Sequence, residues 1–209
     1  MKQIRSVLLL VFSFALTGFG QTGVTNAVRE YRRAQEPKLL REFVELLSLP
    51  NVASDTENIY RNANYLVEQM RRRQLNPRLL PAADKTVPPA VYGEWLTPGA
   101  KQTVIFYAHY DGQPTDPRDW TGSQPWSPVL RSAALENGGK ILPLPADGEN
   151  VNPEWRVYAR SASDDKGGVF AILNAFDALR AKQIKPTVNL TFFFEGEEEA
   201  GSSNLQEIL

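Results

Sequence analysis

The chain of 209 residues contains no cysteine and a single histidine. Without thiols there is no disulfide to staple the fold, and any metal site must be built from imidazole and carboxylate. One histidine means that carboxylates supply most of the ligands. Charge excess is also missing: 23 basic against 24 acidic residues leave a net charge of −1. That balance offers no footprint for nucleic acid or an anionic membrane surface. No apolar run reaches the length of a comfortable bilayer span. Internal repeats and low-complexity tracts are absent too.

The longest apolar run, Val7 to Phe19, sits behind Lys2 and Arg5 and ahead of small residues and Gln21. This is the layout of a secretory signal, so residues 1–20 are expected to be a cleaved signal peptide and residues 21–209 the mature chain. No cysteine follows the run, which rules out a lipoprotein anchor. The expected location is therefore secreted or periplasmic, with no stable membrane anchor.

Over the whole chain, 42% hydrophobic and 22% charged residues are enough for one sizeable core. Fifteen prolines and fourteen glycines argue for a loop-rich mixed fold. Leu39, Leu40, Phe43, Leu46 and Leu47 recur at helical spacing, with Pro37 near the first turn of that part and Pro50 ending it. A second helix is expected from Thr56 to Gln74, capped by Asp55 or Thr56, with Ile59, Ala63, Leu66 and Met70 on one face. Short strands are expected at 78–80, 90–96 and 103–107. The last is so apolar that it reads as buried on both faces. Residues 116–153 read as a long surface loop. A strand at 155–159, a helix at 167–182 and a strand at 187–194 read as a βαβ unit with parallel pairing.

Three segments carry the chemistry: His109-Tyr-Asp111, Ser163-Asp-Asp-Lys-Gly167 and Glu195-Gly-Glu-Glu-Glu199. Ligands of open α/β sheets bind at the carboxyl ends of strands, and that rule would bring all three to one edge. Asp111 stands two residues after His109 and can accept its second N–H, leaving the other ring nitrogen for a metal. Asp164 and Asp165 precede a helix, where acids also serve as caps. Four glutamates in five positions beside Phe192-Phe-Phe194 would repel one another unless cations share the site. Taken singly, each segment has an ordinary explanation in a capped helix, an acidic turn or a histidine after a strand. The order and placement of the three together point to a metal centre.

The segments Ala108-His-Tyr-Asp-Gly-Gln-Pro114, Tyr158-Ala-Arg-Ser-Ala-Ser-Asp-Asp-Lys-Gly-Gly168 and Phe194-Glu-Gly-Glu-Glu-Glu-Ala-Gly-Ser202 resemble peptidase family 20. Its members include carnosinase, succinyl-diaminopimelate desuccinylase, acetylornithine deacetylase and glutamate carboxypeptidase. The likeness extends to Leu46-Leu-Ser-Leu-Pro-Asn-Val52 and Pro125-Trp-Ser-Pro128, and the dipeptidase-like branch fits best. Ala159 and Ser161 depart from the glycines common at those positions.

The resemblance implies an α/β, three-layer zinc-peptidase-like catalytic domain with a mixed, largely parallel central sheet. It also implies two divalent ions, zinc first with cobalt or manganese as alternatives. In that scheme His109 binds one metal, Asp164 bridges both and Glu199 binds the second. Glu198 is the general base and Asp111 orients His109. The implied reaction is hydrolysis of a small peptide or acyl-amino acid. Further ligands and a lid domain, through which a homodimer could form, are expected downstream of Leu209. With the residues in hand each ion would have two protein ligands, short of the usual three, so this chain alone is expected to be inactive. A related clan aminopeptidase would carry Asp-Asn-x-x-Gly where this chain has Asp164-Asp-Lys-Gly-Gly168. A non-catalytic binding domain of the same fold would have no reason to keep all five site residues.

Overall fold

The structure is a computed structural model and describes residues 17–209. The basic and apolar stretch up to residue 16, on which the signal-peptide reading rests, lies outside the described residues. Four helices and seven strands follow in the order α1 (Thr17–Leu47), α2 (Thr56–Arg72), β1 (Arg78–Leu80), β2 (Ala90–Trp95), β3 (Thr103–His109), β4 (Val129–Arg131), β5 (Ile141–Leu142), β6 (Arg156–Tyr158), α3 (Lys166–Ala181), β7 (Asn189–Glu195) and α4 (Leu205–Ile208). Among the described residues, no helix is long and apolar enough to cross a membrane.

Helix α1 is one continuous element with Pro37 inside it, not a helix that restarts at Pro37. Proline costs a helix one main-chain bond, but here the ring is buried and the chain continues. Phe43 of α1 stacks on Phe170 of α3 at 5.0 Å. In α2 the Asp55 side chain accepts the Asn58 N–H, as an N-cap should. Ile59, Ala63, Leu66 and Met70 are fully buried, each of the larger ones contributing about 1.5–3 kcal/mol of transfer free energy. Arg73, just past α2, is 8% exposed and pairs with Asp177 of α3 at 2.6 Å. Arg73 is thus a structural tie between α2 and α3.

The central sheet has the order β1-β2-β7-β3. It is mixed, but it is not largely parallel: β1–β2 and β2–β7 are antiparallel, and β3–β7 is the parallel pair. The expected βαβ unit is differently assembled. β6 belongs to a separate three-stranded sheet, β5-β4-β6, so α3 does not link neighbouring strands of one sheet. That small antiparallel sheet lies largely within the stretch read as a long loop; its strands of two or three residues are too short to show a period.

β3 is not buried on both faces. It stands at the end of the strand order, and Val104, Ile105 and Tyr107 are 42%, 66% and 49% exposed. The apolar composition anticipated cover that no described element supplies. The helix-facing side of β7 is packed instead: Leu190, Phe192 and Phe194 join Val169, Leu173 and Phe176 of α3 and the buried face of α2 in one core. The register sets His109 directly beside Glu195. Because β3 and β7 run parallel, their carboxyl ends emerge at the same sheet edge.

Candidate metal centre

His109 closes β3 and is 6% exposed. Its Nδ1 lies 3.3 Å from Asp111 Oδ1, and its Nε2 lies 3.0 Å from Asp164 Oδ1 and 3.6 Å from Glu198 Oε2. Asp111 is fully buried and does more than face the imidazole. Its Oδ1 accepts the Glu198 N–H at 3.2 Å and its Oδ2 accepts the Glu199 N–H at 3.0 Å. One carboxylate therefore locks the strand end to the turn that carries the glutamate pair.

The two adjacent acids of the Ser163–Gly167 segment divide the alternatives between them. Asp165 is the cap of α3, accepting the Gly168 N–H at 3.1 Å, and its other oxygen accepts the His109 N–H at 3.3 Å. Asp164 points outward to the imidazole, its side chain 78% exposed. The peptide bond between them is cis. This segment does not follow a strand of the central sheet; it reaches the sheet edge through the turn after β6. The glycines permit the approach: a Cβ on Gly167 would sit 2.6 Å from the Ala162 carbonyl oxygen.

The glutamate cluster is dispersed rather than compressed. Glu195 is buried and accepts the Tyr107 hydroxyl at 2.6 Å. Glu197 accepts both the backbone and the amide N–H of Asn204, at 3.1 and 2.8 Å. Only Glu198 and Glu199 turn towards His109, and Glu199 also accepts the Gln113 amide at 3.0 Å. A cleft of about 310 Å³ opens beside them, lined by Gln113, Arg160, Ser161, Asp164 and Glu199. The sequence assigns Gln113 and Tyr107 no role in the site, and Glu195 enters only as one of the four clustered glutamates. An uncharged amide and a tyrosine in a strand carry no metal signature.

Ligand atoms of His109, Glu198 and Glu199 lie within 4.8 Å of one another. Asp164 is not in that close group, but two ligands held about 2.0–2.1 Å from one tetrahedral ion stand about 3.3 Å apart, and the 3.0 Å between His109 Nε2 and Asp164 Oδ1 is near that value. Nitrogen and carboxylate oxygen without thiolate is a donor set that fits a divalent ion such as zinc. Burial pushes the His109 imidazole down. The hydrogen bond and charge of Asp111, with Asp164 and Glu198, outweigh burial and hold its pKa at about 9, against 6.5 ordinarily. In the metal-free protein the protonated imidazole thus contributes stability that is full below pH 6.5 and lost as pH rises through 9. As the chain's only histidine, it should give one imidazole signal in NMR titrating near 9, and a midpoint at or below 6.5 would contradict this arrangement. Metal has to displace that proton, so binding should strengthen with pH over the same window.

Comparison with known proteins identifies the family. Residues 105–209 match the model of peptidase family M20/M25/M40. A Cys-Gly metallodipeptidase of Schizosaccharomyces pombe is 29% identical over 182 residues, covering 80% of this chain and 34% of its own length. The human Beta-Ala-His dipeptidase is 33% identical over 166 residues, covering 79% and 27%. Among solved structures, an M20 family metallo-carboxypeptidase from Sulfolobus solfataricus superposes with a TM-score of 0.62 at 32% identity, over 81% of this chain and 33% of that one. The fold is that of an α/β metallopeptidase catalytic domain, and the chain belongs to peptidase family M20/M25/M40. It spans about a third of the length of these curated relatives.

Proposed function

We propose that this chain contributes His109, Asp164 and Glu199 as ligands of two zinc ions, and Glu198 as general base, to the catalytic centre of a dipeptidase-type hydrolase. The observation that carries the reading is that His109 meets Asp164 from one segment and Glu198 and Glu199 from another at the end of β3. Relatives named as Cys-Gly and Beta-Ala-His dipeptidases support a small peptide as substrate, with acyl-amino acids the next class.

Bound divalent ions would polarise the scissile carbonyl and acidify water. The chain's own residues do the remainder. Glu198, its side chain 44% exposed beside His109, accepts a proton from the attacking water and returns it to the leaving nitrogen. Asp111 faces His109 Nδ1 at 3.3 Å and fixes the Glu198 and Glu199 backbone. Gln113 steadies the Glu199 carboxylate. Lys2, Arg5 and the Val7–Phe19 run support export of the protein. The reading is tested by zinc binding to the metal-stripped protein, with His109→Ala as the control.

A further inference from the structure

The chain leaving α1, residues 46–52, supplies none of the metal ligands, yet it touches both halves of the site. Asn51 is fully buried. Its side-chain amide donates to the Tyr110 carbonyl at 2.8 Å and to Ser161 Oγ at 2.9 Å, and its Oδ1 accepts the Trp126 indole N–H at 3.2 Å. Both amide hydrogens and the carbonyl are therefore engaged. Its backbone carbonyl accepts the Gly112 N–H at 2.9 Å, and Val52 forms a parallel bridge with Gly112. The fit is close: a Cβ on Gly112 would lie 2.2 Å from Ser161 Oγ and 3.0 Å from Asn51 Nδ2.

The same stretch receives Lys166. This side chain is fully buried without a carboxylate partner, its Nζ donating to the carbonyls of Leu46 at 2.9 Å and Leu49 at 2.8 Å. Tyr110 lies between His109 and Asp111, while Ser161 and Lys166 flank Asp164 on either side. The turn carrying Asp164 is thus pinned at both ends to the segment that also pins the His109–Asp111 strand end.

We propose that residues 46–52 are a positioning brace, in which Asn51 and the Lys166 anchor fix Asp164 relative to His109 and so set the spacing of the metal ligands. The consequence for metal rests on the two-zinc reading; the geometric claim does not. Buried hydrogen bonds that only held the fold together would act on all parts of the core alike. A brace acts on two turns.

The test is Asn51→Ala, compared with the parent chain by amide hydrogen exchange and zinc titration. Exchange at 110–113 and 161–168 should accelerate at least about tenfold more than in α2, since local opening is separable from global unfolding. Zinc affinity should fall about 10–100-fold, the usual effect of losing a partner that orients ligands. Asn51→Asp, which cannot donate to the Tyr110 carbonyl, should not rescue either property. Ser161→Ala removes one bond only and should move both in the same direction by less; it carries the test if Asn51→Ala does not fold. Even acceleration across α2, α3 and β7, or zinc affinity within twofold of a zinc-binding parent, overturns the brace. A parent chain that binds no zinc overturns the two-metal reading instead, and exchange alone then decides the brace.

Discussion

Replacing Glu198 by glutamine should lower kcat for dipeptide hydrolysis in an active preparation by about 10²–10⁴-fold, the range that general acid–base catalysis contributes, with KM and zinc content close to the parent. Glutamine keeps the shape of the side chain, and the backbone anchor from Glu198 N–H to Asp111 does not involve the side chain. What disappears is the ability to take a proton. The side chain is partly open to solvent, where an attacking water can reach it, whereas His109 beside it is nearly buried. The split between kcat and metal content is the informative part. Loss of zinc in the variant would make Glu198 a ligand instead of a base, and a kcat within tenfold of the parent would remove it from the chemistry.

The second large effect belongs to Asp111, which touches three parts of the site. Asp111→Ala leaves the part-buried Glu198 and Glu199 N–H groups without their acceptor, at about 1 kcal/mol each. It also releases His109 Nδ1 and removes a fully buried carboxylate from between the two segments. Chemical denaturation should show a destabilisation of about 3–5 kcal/mol, as when one partner of a buried charged network is deleted. Zinc affinity should weaken about 10–100-fold. Asp111→Asn should keep more of the stability, because its carbonyl still accepts one N–H, while its amide can no longer accept from the imidazole and both amides together. A full retention of zinc affinity in Asp111→Ala would show that the imidazole is oriented by something else.

Much of this site was legible in the sequence because metal chemistry restricts the residues that can perform it. A chain with one histidine and no cysteine has few ways to hold a divalent ion, and the strand ending at His109 and the one ending at Glu195 are visibly apolar. Their register placed those ends side by side. The less legible parts share a physical reason. Which of Asp164 and Asp165 caps α3 depends on backbone direction, which composition does not carry. Strand orientation failed similarly: strand–helix–strand order after Trp155 suggested parallel pairing, yet β6 pairs antiparallel with β4 in another sheet. The exposure of Ile105 and Tyr107 shows that an apolar run reports a tendency to be covered and does not name the cover. Lys166 has no role in the sequence because its partners are backbone carbonyls, which every sequence has, and Asn51 has none because its partners, Tyr110, Ser161 and Trp126, are 59 to 110 residues away.

The central claim is that His109, Asp164 and Glu199 form a metal centre, and zinc titration of the chelator-treated protein at neutral pH addresses it most directly. Saturable binding with release of protons, abolished by His109→Ala, is the predicted result. No binding, or binding that His109→Ala leaves unchanged, would contradict it.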